Sequence, residues 1–165
     1  MIYRLLLNLY GVLPARVQEV AEWLLSTKTT AGVCVAAFDT DGRVLLFRHR
    51  YHPSGSWRLP GGHADRGELP EHALARELAE EGGALVQLDE LVHVEVSERW
   101  PARMTMYYAG SLTQLPQRST AEVTAWQLSR VDALPPGTPL HHRIAIERGA
   151  ANRRHRKPDG NATGV

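Results

Sequence analysis

The chain has 165 residues, of which 43% are hydrophobic and 22% are charged, and these values suit a single globular domain with a sizeable core. A net charge of +1 argues against a protein that attracts polyanions through its overall charge. The single cysteine, Cys34, excludes an intramolecular disulfide and a multi-cysteine metal site, and it favours a reducing, cytoplasmic location.

Residues 1–29 are expected to form a helical extension that is broken near Gly11 and Pro14. These breaks, together with Asn8, interrupt the apolar run, so we expect neither a signal peptide nor a membrane span. Helical spacing predicts an apolar stripe in the second half, formed by Val17, Val20, Ala21, Leu24 and Leu25. We expect this stripe to pack on the domain or across a homodimer interface; a partner or membrane surface is the alternative.

Two β-rich segments follow, at residues 32–40 and 43–50, and the turn Asp39–Gly42 joins them as a hairpin. Because side chains alternate between the two faces of a strand, Arg48 and Arg50 are predicted to project from the same face of the second strand. The loop at 51–56 then leads to a sharp turn at Pro60, Gly61 and Gly62, because proline is excluded from a central strand.

A helix is predicted from Pro70 to the Gly82–Gly83 pair, with Ala73, Leu74 and Leu78 buried. Beyond it we predict strands at 84–88, 91–98, 103–112 and 122–128, a short helix at 129–134 capped by Ser129, and a final helix from about Leu140 to Arg148. The predicted domain covers residues 30–149. Residues 150–165 are predicted to be a disordered basic tail whose charges are solvated, with contact to nucleic acid as the less favoured interpretation.

Three carboxylates in the central helix, those of Glu77, Glu80 and Glu81, fall on one face because residues three and four apart are neighbours on a helix. Like charges placed this way repel and must be compensated. Solvent together with Arg76 would compensate them, and so would a divalent cation, since Mg²⁺ prefers carboxylate and carbonyl oxygens.

The segment Gly62–Ala84 resembles the Nudix box, the signature of hydrolases that cleave nucleoside diphosphates linked to another moiety. The matching positions are Gly62, Glu68, Arg76, Glu77, Leu78, Glu80, Glu81 and Gly83, with Ala84 as a smaller residue than the family usually carries. The preceding Trp57, Leu59, Pro60 and Gly61 are similar to the family's common approach to the box. The resemblance implies an α/β fold, the Nudix-type α/β/α sandwich with a mixed central sheet and the catalytic helix after a glycine loop, over roughly residues 30–148.

By this resemblance, Glu77, Glu80 and Glu81 would bind Mg²⁺, with Mn²⁺ as the alternative ion and the Gly61 carbonyl as a further ligand. Glu68 and Arg76 would brace the loop and the helix. Family members use different general bases, so the base stays open. Glu122 is our candidate for a fourth carboxylate at the metal site, with an exposed strand-edge charge as an equal alternative; Asp65 and Glu98 are weaker candidates.

For substrate binding we expect Arg48, which lies where the family often contacts phosphate, together with Trp57 and Arg58. Surface arginine and packed aromatic are the alternative roles. Trp100, Tyr107 and Tyr108 are further aromatic candidates for stacking on a base. A small nucleotide is the expected partner, with ADP-ribose or nucleotide sugars slightly favoured by the position of Pro101, and no membrane or nucleic acid.

Two other functions are compatible with the same fold. Isopentenyl diphosphate isomerisation would need a catalytic cysteine, and Cys34 lies in an apolar strand that suggests burial. A non-catalytic nucleotide-sensing or RNA-binding domain would leave the three helix carboxylates without a role. Their mutual repulsion, a few tenths of a kcal/mol per pair on the scale of helix pairs, argues against that reading.

Overall fold

The structure, a computed structural model, describes residues 10, 12–25, 29–52, 55–97 and 102–156. The predicted helix before residue 10, Glu98, Trp100, Pro101 and the last nine residues lie outside this range. The elements in the described residues are α1 (Ala15–Leu25), β1 (Thr29–Phe38), β2 (Val44–His49), β3 (Trp57–Arg58), β4 (Gly61–His63), α2 (Pro70–Glu81), β5 (Leu85–Ser97), β6 (Ala102–Gln114), β7 (Val123–Ser129), a 3₁₀ turn (Val131–Ala133) and α3 (Leu140–Arg156).

Strand β1 lies at the centre of the sheet and holds the site-bearing segments together. It pairs in parallel with β6 along its whole length, and antiparallel with β4 at Gly32–Cys34. The main strand order is β3-β2-β1-β6-β5, with β7 paired to β2. The hairpin turn at Asp39–Gly42 is confirmed, since Gly42 has a φ of 77° and its N–H donates to the Asp39 carbonyl.

Each face of this sheet is covered by one helix. Ala73, Leu74 and Leu78 of α2 join a buried cluster with Leu45 and Phe47 of β2. On the opposite face, a second cluster contains Ala145 and Ile146 of α3 with the alternate β2 residues Val44 and Leu46. Alternate residues of one strand therefore serve two cores, and the predicted α/β/α sandwich is confirmed.

Three predicted element boundaries were wrong. The strands at 84–88 and 91–98 are one strand, β5, because its pairing with β6 continues through register irregularities between Leu88 and His93. Ser129 ends β7 and accepts a hydrogen bond from the Gln127 amide (2.9 Å) instead of capping a helix. The turn that follows is 3₁₀ and begins after Arg130 without a side-chain cap.

Helix α3 also extends beyond its predicted end, through residues 150–156 of the segment that was predicted to be disordered. Ala150 packs on the second core cluster. Asn152 donates to Glu90 (3.1 Å) and Arg153 donates to Asp89 (2.7 Å), so β5 holds the added turns. These tertiary contacts stabilise a stretch whose own sequence has no apolar period.

Helix α1 does not bury its predicted stripe in the single chain. The side chains of Val17, Val20 and Leu24 are exposed, so packing of these residues on the domain was a wrong prediction, while the dimer interface stays a prediction. Among the described residues, no helix combines the length and the hydropathy needed to cross a membrane.

Candidate active site

Glu81 is the buried carboxylate of the site, with only 4% of its surface exposed. It lies in the last turn of α2, which ends because Gly82 has a φ of 148° and the Gly83 N–H bonds back to Leu78. His49 Nε2 lies 2.5 Å from Glu81 Oε1, and the Gly61 N–H donates to Oε2 at 2.9 Å. Burial raises the pKa of Glu81 even though both donors favour the ionised form.

Gly61 brings the backbone of β4 close to β1 in a conformation that only glycine adopts easily. Its φ is 133°, and a Cβ there would lie 2.1 Å from the Val33 carbonyl oxygen. At Gly62 a Cβ would lie 2.3 Å from the carboxyl carbon of Glu77. The two glycines therefore let the backbone approach both helix carboxylates.

Glu68 and Arg76 form a network of contacts, here called the brace, that links the loop before α2 to the helix. Arg76 Nε donates to Glu68 Oε1 at 3.1 Å, and Nη2 donates to Oε2 at 2.9 Å in a fork geometry. The same Nη2 donates to the His63 carbonyl (2.9 Å), and Nη1 lies 3.2 Å from Glu77. The Asp65 N–H also donates to the Glu68 carboxylate (2.8 Å), so this side chain fixes the turn between residues 65 and 68.

We expect this brace to make the protein sensitive to acid. The hydrogen bonds from Arg76, and then that from the Asp65 N–H, lower the pKa of Glu68 from its usual 4.5 to about 2. A lowered folded-state pKa means that the stabilisation is complete above about pH 4.5 and is lost as the pH falls towards 2. Glu68→Gln should therefore flatten the dependence of stability on pH in that window.

Urea midpoints measured in steps from pH 5 to pH 2 at constant ionic strength would check this expectation. Glu147→Gln is the matched control, because Glu147 is exposed on α3, far along the chain from the brace. Parallel curves for the wild type and Glu68→Gln would contradict the stabilising role of the ionised carboxylate.

The carboxylates of the three predicted metal ligands do not converge on a single position. Glu80 is 61% exposed and lies 3.6 Å from Arg76, while Glu77 and Glu81 accept backbone N–H groups. In the part of the chain that the structure describes, no three histidine, cysteine or carboxylate side chains come together in a ready-made ion cage. Mg²⁺ usually takes one or two carboxylates, several waters and the substrate phosphates, so this open oxygen donor set fits such an ion.

The predicted substrate residues separate into two groups. Arg48 stacks over the Trp57 ring, 5.4 Å from guanidinium carbon to ring centroid, and the two residues pair across β2 and β3. Arg58 lies instead on the wall of a large cavity, where its Nε donates to Ser56 (3.2 Å). Arg58 is thus the better placed of the two arginines to meet a ligand.

Glu122 is exposed immediately before β7, and its carbonyl accepts the Arg50 N–H at 2.8 Å. Burial raises the pKa of Tyr51, and the charges of Glu81 and then Glu122 add to the rise. Both carboxylates therefore act on the same side chain, and Glu122 stays our candidate for a fourth carboxylate. Asp65 is exposed in the loop beside Glu68, and Glu98 lies outside the described residues.

The cavity next to the carboxylates has a volume of about 630 Å³. Its walls include Gly61, Gly62 and His49 from the carboxylate site, and they continue over β1, β5, β6 and the start of α3. The lining residues in this part of the cavity are Gly32, Cys34, Glu95, Ser97, Arg103, Thr105, Tyr107, Pro139, His141 and His142. A ligand in the cavity would therefore reach β4, whose Gly61 and His63 N–H groups donate to the Glu81 and Glu77 carboxylates.

Sequence reasoning missed most of these cavity residues, and it also missed His49. The alternation of β2 puts His49 on the same face as the apolar Leu45 and Phe47, which was a usable signal for a buried polar side chain that needs a partner. Glu95, His141 and His142 carry no local signal, since they meet only when β5 pairs with β6 and α3 packs on the sheet. Of the predicted stacking residues, Tyr107 lines the cavity and Tyr108 donates to Glu71 of α2 at 3.1 Å.

Cys34 lies on the cavity wall, but its thiol is poorly suited to act as a nucleophile or acid. Burial, followed by the charge of Glu81, raises the pKa of Cys34 to about 12. Reactive cysteines have a lowered pKa in electropositive surroundings, so this environment argues against the isomerase interpretation.

Comparison with known proteins identifies one domain family. The NUDIX domain model matches residues 28–148. A MutT-like protein of Streptomyces ambofaciens is 42% identical over 77 residues, 47% of each chain. The NAD-capped RNA hydrolase NudC of Edwardsiella ictaluri is 32% identical over 109 residues, 62% of this chain and 41% of that protein. The chain thus spans less than half the length of these curated relatives.

A solved structure supports the same family. The crystal structure of a MutT NUDIX hydrolase from Burkholderia pseudomallei is 28% identical and superposes with a TM-score of 0.65, covering 73% of this chain and 98% of that one. The domain match spans most of the chain and includes the glycine segment, the brace and α2. The chain therefore belongs to the NUDIX domain family.

Proposed function

We propose that the protein is a divalent-metal-dependent hydrolase that cleaves the pyrophosphate linkage of a nucleoside diphosphate joined to another moiety. One observation carries this proposal: the Glu81 carboxylate accepts the Gly61 N–H and the Glu77 carboxylate accepts the His63 N–H, and both Gly61 and His63 form part of the cavity wall. A substrate bound in the cavity would place its phosphates beside the carboxylates.

Members of this family generally use divalent metal ions. We propose Mg²⁺, with Mn²⁺ as the alternative, held by Glu77, Glu80, Glu81 and the Gly61 carbonyl, with Glu122 as a further ligand. A bound ion would screen the phosphate charges and lower the pKa of an attacking water.

Residues of the chain itself would orient the substrate and place positive charge near its phosphates. His49 and the Gly61 N–H hold the Glu81 carboxylate in one orientation, and Arg76 fixes the loop against α2. Arg58 supplies a positive charge on the cavity wall that favours phosphate oxygens. Arg48 and Trp57 would support the rim of the cavity through their stacked pair.

The substrate class within this reaction is tested by a panel. Purified protein would be incubated with Mg²⁺ or Mn²⁺ and ADP-ribose, nucleotide sugars, nucleoside triphosphates, dinucleoside polyphosphates or capped RNA, and nucleotide and phosphate release would be measured. Capped RNA belongs in the panel because one relative is an NAD-capped RNA hydrolase. We expect metal-dependent release from at least one diphosphate-linked nucleotide.

The alternative of a non-catalytic sensor or RNA-binding domain makes the opposite prediction. It predicts nucleotide or RNA binding with no product release and no uptake of Mg²⁺ or Mn²⁺ at millimolar concentration. Absence of release across the whole panel, with the fold intact by circular dichroism, would overturn the hydrolase proposal.

A further inference from the structure

The cavity extends well beyond the carboxylate site, and the strand register shows how far. Gly61 of β4 pairs with Cys34 of β1, and Cys34 pairs on its other side with Tyr107 of β6. Arg103 lies four residues before Tyr107 on the same strand. With about 4.8 Å between strands and about 3.4 Å per residue, the Cα atoms of Gly61 and Arg103 are roughly 16 Å apart. A ligand whose phosphates lie beside Gly61 must therefore be extended to reach Arg103.

Three polar side chains, those of Ser97, Arg103 and Thr105, form what we call the distal end of the cavity. Arg103 and Thr105 are alternate residues of β6, so their side chains lie on the same face of the sheet. Ser97 of β5 pairs directly with Arg103. All three line the cavity, and they offer it a guanidinium group and two hydroxyls, each of which can donate hydrogen bonds.

The distal end is not occupied by contacts within the protein. Among the described residues, the Arg103 guanidinium forms no ion pair or hydrogen bond, and neither do the hydroxyls of Ser97 and Thr105. Thr105 is only 9% exposed. Its neighbour in β1 is Gly32, where a Cβ would lie 3.1 Å from Thr105 Oγ1. The glycine leaves this buried hydroxyl open to the cavity, and buried hydroxyls normally have a partner.

Polar groups in the middle of the cavity, by contrast, have partners in the protein. The Tyr107 hydroxyl donates to Glu95 Oε2 at 2.9 Å, and its ring meets that of His142 edge-on at 5.3 Å. The Leu59 N–H donates to His142 Nδ1 at 3.0 Å. These contacts engage the middle of the cavity, whereas the donors of the distal end are available to a ligand.

The charge of Arg103 is also not neutralised by the acidic residue closest to it in the strand register. Glu95 pairs with Thr105, one step nearer to the carboxylate site, and it forms no ion pair with Arg103. Its oxygens face the Tyr107 hydroxyl and His141 Nε2, which lies 3.4 Å away. Arg103 therefore presents its positive charge to the cavity, remote from the proposed position of the phosphates.

We propose that the distal end binds an anionic group, a carboxylate or a phosphate monoester, on the part of the substrate that is remote from the pyrophosphate. The guanidinium fork pairs with two oxygens of that group, and the Ser97 and Thr105 hydroxyls donate to it. The proposal rests on the proposed function in placing the pyrophosphate beside Gly61. It holds whichever end of the nucleotide points towards Arg103, and it narrows the substrates to those with a further negative charge at one end.

Two matched pairs of ligands test the proposal. UDP-glucuronate and UDP-glucose differ only by a carboxylate in place of a hydroxymethyl group, and NADP⁺ and NAD⁺ differ only by one phosphate on a ribose. Calorimetry in Mg²⁺ would use the Glu80→Gln variant, in which turnover is expected to be slow. In at least one pair, we expect the acidic member to bind about tenfold more tightly or better, on the scale of hydrogen bonds to a charged group. Equal affinity within both pairs, or no detectable binding of any of the four, would overturn the proposal.

Variants of the distal end assign the preference to its residues. Arg103→Gln should remove the preference by weakening the acidic member about tenfold while leaving the other member nearly unchanged. Arg103→Lys keeps the charge but not the fork, so it should retain part of the preference. Thr105→Val keeps the shape without the hydroxyl and should lower the preference by a smaller factor.

Two further arginine variants serve as controls. Arg58→Gln should weaken both members of a pair alike, because we place Arg58 beside the pyrophosphate that they share. Arg154→Gln removes an exposed arginine of α3 that lies thirteen residues beyond His141, about 20 Å further along the helix, and it should retain the full preference.

The outcomes separate this proposal from the proposed function. A preference for the acidic member that survives in Arg103→Gln would overturn the assignment of the distal end. Selective binding without any hydrolysis by the wild type would sink only the hydrolase proposal. Hydrolysis without preference for the acidic member in either pair would sink only the present one.

Discussion

Replacing Glu80 with glutamine is expected to lower turnover on the order of 10²–10³-fold, the scale seen when one electrostatic group of an active site is removed. The change should leave the fold intact, because the side chain is 61% exposed and its ion pair with Arg76 is long, at 3.6 Å. Surface pairs of this kind add little to stability. Loss of activity without loss of stability would therefore point to a chemical role for this carboxylate.

Initial rates on the best substrate of the panel, measured over a range of Mg²⁺ concentrations, would check this expectation. Glu147→Gln controls for the loss of one negative charge from an exposed helix position outside the site. A metal-binding role predicts that the Glu80→Gln variant needs more Mg²⁺ for half-maximal rate. Undiminished turnover in Glu80→Gln and Glu81→Gln together would contradict the roles proposed for both.

Glu81→Gln should be equally inactive but should change the structure around it more. The amide oxygen can still accept the Gly61 N–H, but its NH₂ group then faces His49 Nε2. The His49 ring can respond by moving its proton to Nδ1, which is the one buried side-chain polar atom without a partner in the described part of the chain. This alternative tautomer explains how the substitution could be accommodated without unfolding.

Replacing Gly61 with alanine is expected to have the largest effect on stability, about 3 kcal/mol or more. The sum combines a strained positive φ, worth about 1–3 kcal/mol, with an overpacked contact of similar size. The contact is severe because the new Cβ would lie 2.1 Å from the Val33 carbonyl oxygen and 2.8 Å from Cys34 Cα, both in the central strand. Backbone atoms in β1 cannot move aside as a flexible side chain could.

Urea denaturation of the Gly61→Ala variant would measure this loss. Gly67→Ala is the matched control, because Gly67 also has a positive φ, 80°, but has nothing within 4 Å of the added Cβ. We expect only about 1 kcal/mol for Gly67→Ala. The additional loss in Gly61→Ala reports the steric contact with β1 together with the less favourable φ of 133°. Equal losses would show that the close approach to β1 does not matter.

The sequence predicted the position of α2 and of its carboxylates well because the information is local. Spacing on one helix placed Glu77, Glu80 and Glu81 on one face, and glycines marked both ends. The sequence could predict that Glu68 and Arg76 brace the loop, but it could not predict the geometry of their contact. The forked contact depends on how the loop folds back to the His63 carbonyl.

The cavity could not be predicted because its walls come from segments that are distant in sequence. Glu95 in β5 and His142 in α3 meet only through their common neighbour Tyr107 in β6. Pattern analysis treated β5 as two strands and ended α3 early for the same reason, since both depend on tertiary contacts. Residues 150–156 became helical through Asn152 and Arg153, whose partners lie in β5.

The parallel pairing of β1 with β6 has a consequence for how the protein folds. Every site segment from His49 to Glu95 lies in the chain between these two strands, so their ten aligned pairs close a loop that contains most of the site. Pairing of this kind is slow to form, because the entropy of loop closure must be overcome before the contacts contribute. We therefore expect α2 to form early as a local helix, and the cavity to be completed only in the last, cooperative step of folding.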